Sequence, residues 1–310
     1  MRRRAFSDGL GLVELLVALA LGLLVTLAAA ALLLSAQSGY AAQNALARTD
    51  DAGRYALEAI ERAARQGAWV DLEREEAPPS LAASAARIGG LDNHALASGG
   101  PGIDKARPGG VNGSDVLVLR FDGAGSGADG DGSVLGCAGF PVGSEHEGWS
   151  IFYVAPGIAG DAELRCKYLG QKTWRSEALV AGVDTFQVLY GLDTDDPADG
   201  APNQYLAAGA VNALDAALAL DGATPLDRER DLRRKTHWKR IASIKVALLL
   251  HGAHGGSVER EALAYELFGP GYGGAADPGT RIDEAALPPA QRWRERRAFA
   301  ATIVLRNAAL

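Results

Sequence analysis

From Leu10 to Leu34 the chain reads LGLVELLVALALGLLVTLAAAALLL, an apolar run broken by a single charge, Glu14. At 1.5 Å per residue, a helix over this run is about 37 Å long, enough to cross the roughly 30 Å of hydrocarbon in a bilayer. Arg2, Arg3 and Arg4 precede it, and the next basic residue is Arg48. That asymmetry places the N-terminus in the cytoplasm and everything downstream across the membrane. A secretory signal peptide has a shorter apolar core of about 7–15 residues and no buried glutamate. Arg3-Arg4-Ala5-Phe6 is only a faint match to a twin-arginine export signal. A carboxylate at the bilayer centre costs on the order of 2.5–3.5 kcal/mol, so Glu14 marks function unless it merely snorkels to the interface.

Gln37 to Gln66 contains no proline, and Leu46, Gly53, Leu57, Ile60 and Ala64 recur at helical spacing. One helix is therefore predicted from Leu10 to Gln66, about 85 Å long, with its second half laid on a sheet. Gly67 and Pro78-Pro79 end it. Beyond lie short runs rich in β-branched and aromatic residues, which predict strands. They are Asp115–Phe121, Trp149–Val154, Glu163–Leu169, Val183–Tyr190, Ile241–Leu250 and Phe299–Arg306, separated by Gly/Asp loops. A helix first and strands afterwards give an α+β class with mostly antiparallel sheet. Hydrophobic residues at 48% and charged residues at 22% support a packed body. A net charge of −7 argues against a dedicated nucleic-acid binder.

Gly9-Leu10-Gly11-Leu12-Val13-Glu14 ahead of an apolar helix resembles the class III signal of type IV prepilins. The resemblance implies a prepilin peptidase that cuts between Gly9 and Leu10 and methylates Leu10. Glu14 then stands fifth in the mature chain, where the family uses it to neutralise the α-amine of a neighbouring subunit. Leu10 and Gly11 stand where the family usually has Phe or Met followed by Ser or Thr. The segments Arg54–Gly67, Val183–Asp195, Ile241–Leu250 and Arg297–Asn307 are similar to those of the PilW-type minor pilins. The implied organisation is a leader at 1–9, a transmembrane and assembly helix at 10–36, its amphipathic continuation at 37–67 and a periplasmic, strand-rich, pilin-like body at 68–310.

The implied function is that of a minor pilin which starts type IV pilus assembly near the fibre tip. Its partners would be other minor pilins, the major pilin, the prepilin peptidase and the inner-membrane assembly platform. It would sit in the inner membrane before assembly and in the fibre afterwards. A type II secretion pseudopilin of the J kind shares these features. A membrane-anchored periplasmic ligand-binding protein or enzyme is the alternative from another class, but it has no use for Gly9 with Glu14.

Cys137 and Cys166 fall on the exported side, where a disulfide is permitted and worth about 2–4 kcal/mol. Free thiols and a metal pair are the competing readings. Asp193, Asp195 and Asp199 in DTDDPADG have a spacing compatible with calcium, or with a solvated acidic turn. No other cofactor is expected, and no motif argues for catalysis. His251 and His254 in HGAHGG read as a surface loop. Arg228–Arg240, with Arg233, Arg234, Lys235, Trp238, Lys239 and Arg240, reads as a basic surface, as does Arg292–Arg297 with Trp293. Nucleic-acid contact is the lesser reading of these two segments.

Overall fold

A computed structural model describes residues 11–70, 84–158, 160–252, 261–272 and 277–306. The first element, α1 (Leu12–Gln66), is one unbroken helix, in agreement with the expected span. Two compact units divide the chain, Met1–Arg48 and Thr49–Leu310. The boundary falls within α1, where its apolar run has given way to an amphipathic one.

Among its described residues the second unit contains thirteen strands. They are β1 (Ile88–Leu91), β2 (His94–Ala95), β3 (Arg107–Pro108), β4 (Val116–Asp122), β5 (Glu147–Pro156), β6 (Ala162–Leu169), β7 (Trp174–Ala181), β8 (Val183–Leu192), β9 (Gln204–Leu206), β10 (Ile241–His251), β11 (Ala264–Glu266), β12 (Arg281–Asp283) and β13 (Arg296–Val304). Two further helices, α2 (Ala208–Ala216) and α3 (Pro225–Lys235), lie between β9 and β10. One sheet has the order β1-β4-β5-β6-β7 and a second the order β13-β10-β8-β9; β2 with β3 and β11 with β12 form two small ribbons. Every pairing is antiparallel, so the class is α+β as expected. The chain changes sheets at Gly182, whose N–H donates to Ala162 O at 2.9 Å and whose carbonyl accepts from His251 N at 2.9 Å.

Strand periodicity sets the layers. On β4 and β5, Leu117, Leu119, Phe152 and Val154 face the main core, while Val116, Val118, Ile151 and Tyr153 pack on a second cluster with Leu96, Trp149 and Trp174. The main core also takes Ile244, Val246, Leu248 and Leu250 from β10, and Ala56, Ile60, Ala63 and Ala64 from α1. Ala247 and Leu249 face the other way, toward Leu267, Ile282 and Leu287. Both central strands of the second sheet, β8 and β10, are covered on two faces, which explains their near-continuous apolar sequence.

The buried stripe of α1 runs Thr49, Gly53, Ala56, Ile60, Ala63 and Ala64, close to the stripe read from the sequence. Small residues dominate it because the helix sits tight on the sheet. A Cβ at Gly53 would lie 2.4 Å from the ring of Phe299 on β13, so any larger residue would have to push that ring aside. On the outer face Glu58 with Arg62 and Glu61 with Arg65 form exposed i,i+4 pairs, worth a few tenths of a kcal/mol each at most.

Candidate functional site

From Leu12 to Leu34, α1 is apolar on all sides apart from Glu14 and Thr26, and every residue is exposed. Leu12, Val13, Leu15, Leu16, Val17, Leu19, Leu23, Leu24, Leu27 and Leu32 to Leu34 are all more than half exposed. Mean hydropathy reaches 2.7 over an 18-residue window, and this is the one described helix long and apolar enough to cross a membrane. A helix that is hydrophobic all round needs lipid or other helices around it, because water would leave thousands of Å² of apolar surface exposed. Glu14 is the only charge in this stretch. Its Oε2 accepts from Gly11 N at 3.2 Å, a local bond that caps one free N–H of the first turn. The only other polar side chain before Ser35, Thr26, donates back to Leu23 O at 2.8 Å and hides its hydroxyl. The processing pair Gly9–Leu10 and His254 lie outside the described residues.

Cys137 and Cys166 are joined, with Cα atoms 5.9 Å apart. The bridge ties the Gly-rich loop after β4 to the middle of β6, and Cys137 N also donates to Ser150 Oγ on β5 at 3.0 Å. Asp193, Asp195 and Asp199 converge, their carboxylate oxygens lying within 4.8 Å of one another. The turn already uses these groups. Asp193 accepts from Asp195 N at 2.9 Å and Gly200 N at 2.8 Å, Asp199 accepts from Ala201 N at 2.8 Å, and Asp195 accepts from Asn203 Nδ2 at 3.0 Å. Those two backbone donors, aided by nearby Arg240, hold the Asp193 carboxyl below the usual range. Such a turn is complete as an Asx-type loop, with outer lone pairs left for a cation.

Three surface readings from the sequence are corrected by packing. Trp238 is buried, not displayed: its ring meets Tyr190 edge-on at 4.8 Å and its Nε1 donates to Asn212 Oδ1 at 2.8 Å. The arginines and the lysine before it belong to α3, and most of them are paired with acids. Arg233 pairs with Glu229 at 2.5 Å, Arg234 with Asp231 at 2.6 Å, and Lys235 with Asp221 at 2.8 Å and Asp231 at 2.7 Å. Asp231 is held at about 2 by Lys235 first and by the Asp221 N–H next. Burial lowers the Lys239 ammonium, and Arg240 donates to the Asp195 carbonyl. Arg233 and Arg234 remain at the surface, as expected, but paired locally with acids, while Trp238 is withdrawn from it.

His251 is likewise no loop residue. It ends β10, and its Nδ1 lies 2.9 Å from Asp184 Oδ1 on β8. Arg294 and Arg296, read from the sequence as exposed basic residues, are buried in the same cluster. Arg296 donates from Nε to Asp184 Oδ2 at 2.7 Å and from Nη1 to Glu284 Oε1 at 2.8 Å. Arg294 donates to Asp161 Oδ1 at 2.7 Å, 3.4 Å from which lies His251 Nε2. Glu284 also accepts from the N–H groups of Trp293 at 3.0 Å and Leu263 at 3.2 Å. This buried network pins Leu263, Glu284, Trp293 and Arg294 to the second sheet through Arg296 and His251. Its members are scattered over more than a hundred residues, so local sequence holds no sign of it.

Among solved structures, a type IV-like pilin from Thermus thermophilus is similar, with 14% sequence identity over 85% of this chain and 100% of that chain, at a TM-score of 0.38. No curated protein matches the chain. The profile of PilW, type IV pilus-assembly protein W, matches residues 151–307, just over half of the 310 residues, from within β5 through β13. The chain belongs to the PilW family of type IV pilus-assembly proteins.

Proposed function

We propose that this protein is a minor pilin that takes part in starting type IV pilus assembly, in complex with other minor pilins and the major pilin and near the fibre tip. The observation that carries the reading is the uncovered apolar helix with its single carboxylate, joined in one chain to a PilW-family body. In this reading the helix holds the subunit in the inner membrane with the body in the periplasm. A prepilin peptidase removes residues 1–9 and methylates Leu10, and the assembly platform then lifts the subunit into the fibre. There the helix exchanges lipid for neighbouring helices, and Glu14 meets the α-amine of a neighbour.

The test is the mature N-terminus. Mass spectrometry of the protein from its native membrane should find a methylated Leu10. Gly9→Ala should leave a precursor that begins at Met1, because the peptidase site loses its small residue. An unmethylated full-length chain in the wild type, or a Leu10 terminus in Gly9→Ala, would refute the processing step and with it the pilin role.

A further inference from the structure

Sheet β1-β4-β5-β6-β7 carries a cleft of about 420 Å³ where the strand ends meet the Gly-rich loop of residues 123–143. From its aromatic lining and balanced charge we infer that it is a binding site for a neutral saccharide, a role that goes beyond pilus assembly. A volume in this range suits a small ligand and not an extended chain.

Aromatic surface forms one side. Phe140 is 53% exposed, although one of its faces rests on Tyr168, with ring centroids 5.4 Å apart. Among the described aromatics of the body, only Phe140 and Tyr55 are exposed, and Phe140 alone of the two is an unsubstituted phenyl ring at a cleft, where a ligand could stack on its open face. Trp149 adds a second ring, held in place by Trp174 edge-on at 5.4 Å and by Arg120 at 4.6 Å from its centroid.

Hydrogen-bonding groups of both kinds ring the aromatics. Asp129 and Gln171 meet across the cleft, with Gln171 Nε2 donating to Asp129 Oδ1 at 3.4 Å, a long bond that a ligand hydroxyl could replace. His146 lines the same space and its buried Nδ1 has no hydrogen-bond partner among the described residues. The lining carries two charges of each sign, Lys172 and Arg175 against Asp129 and Glu147, so its formal charge sums to zero, and Glu147 is also paired with Arg120 at 2.7 Å. An apolar face edged by paired donors and acceptors without net charge is what a pyranose presents in complement: a C–H face and a rim of hydroxyls.

The wall is built before any ligand arrives. The loop closes on itself through Ala124 N to Val142 O at 3.0 Å, Gly143 N to Ala128 O at 3.1 Å and Gly136 N to Phe140 O at 2.8 Å. A Cβ at Gly143 would lie 1.7 Å from Gly127 O, so the two loop strands approach as closely as glycine permits. The Cys137–Cys166 bridge then fastens this loop to β6, three residues before Phe140. A preformed wall of this kind saves the ordering cost of binding.

The test is calorimetric titration of the full chain, held in lauryl dimethylamine oxide so that no sugar headgroup competes. The probes are lactose, cellobiose and N,N′-diacetylchitobiose, with glucuronate as the charged control. At least one neutral disaccharide should bind saturably in the millimolar range and shift tryptophan emission. Phe140→Ala should weaken that binding about tenfold, the share of one stacking ring, with the melting temperature unchanged. Gln171→Ala, on an exposed turn, should also weaken it and serves as the second variant. No saturable binding of any of the three up to about 50 mM, well above millimolar affinity, would overturn the inference. So would equal binding by Phe140→Ala, or tighter binding of glucuronate than of every neutral probe.

Discussion

Arg296→Met should destabilise the body by about 3–5 kcal/mol, the usual cost of leaving a buried charge without its partner. The Arg296 side chain is fully buried, as is Glu284, and Asp184 is nearly so. Its guanidinium serves two carboxylates and also donates to the carbonyls of Arg294 at 3.2 Å and Gln291 at 2.5 Å. Methionine fills much the same volume but strands Asp184 and Glu284 in a dry site, where neither can be hydrated. For a body of this size the melting temperature should fall by roughly 10 °C. Arg296→Lys keeps the charge but cannot reach four acceptors in a fixed fork, so it should fall between the two. Replacing Arg296, Asp184 and Glu284 together with apolar residues should recover much of the loss, because no unpaired charge remains. Thermal unfolding of the three variants, followed by circular dichroism, measures this. A loss below about 1 kcal/mol for Arg296→Met, the scale of an exposed ion pair, would mean that the network is incidental.

That network also marks the limit of what local sequence can disclose. Elements specified by their own residues were legible: α1 through its apolar run and missing prolines, and β4, β5, β6, β8, β10 and β13 through β-branched stretches. Strand β7 escaped because it is an edge strand whose charged residues, Arg175 and Glu177, face solvent, which removes the apolar signature. Helices α2 and α3 are short, and the charge of α3 reads as a surface patch. A signal for α3 does exist in Thr224-Pro225-Leu226-Asp227, a capping box with proline at the first turn. His251 and Trp238 were misplaced for a common reason. Glycine beside the one and lysine beside the other suggest exposure, whereas burial is decided by partners far along the chain, Asp184 and Tyr190. For the helix the reverse holds. Its lipid-like or helix-like surroundings are written in composition, and Glu14 stands out because it violates that composition.

Glu14→Ala should separate assembly from everything else the chain does. The compact body begins at Thr49, so its folding does not depend on Glu14. Removing a carboxylate from an apolar helix makes membrane insertion easier, and membrane levels should therefore hold. Processing at Leu10 should continue as well. Incorporation is where the loss falls: if Glu14 neutralises a neighbour's α-amine among packed helices, alanine leaves that amine unpaired at low dielectric. The cost is on the order of 3–5 kcal/mol, by the same reasoning that applies to Arg296, and corresponds to a loss of a hundredfold or more in incorporation. Glu14→Gln retains an acceptor without the charge and should lie between. Quantitative blotting of sheared pili against membrane fractions reads the effect directly. Equal incorporation of Glu14→Ala and wild type would remove the electrostatic argument, leaving the Gly11–Glu14 bond a local helix cap and nothing more.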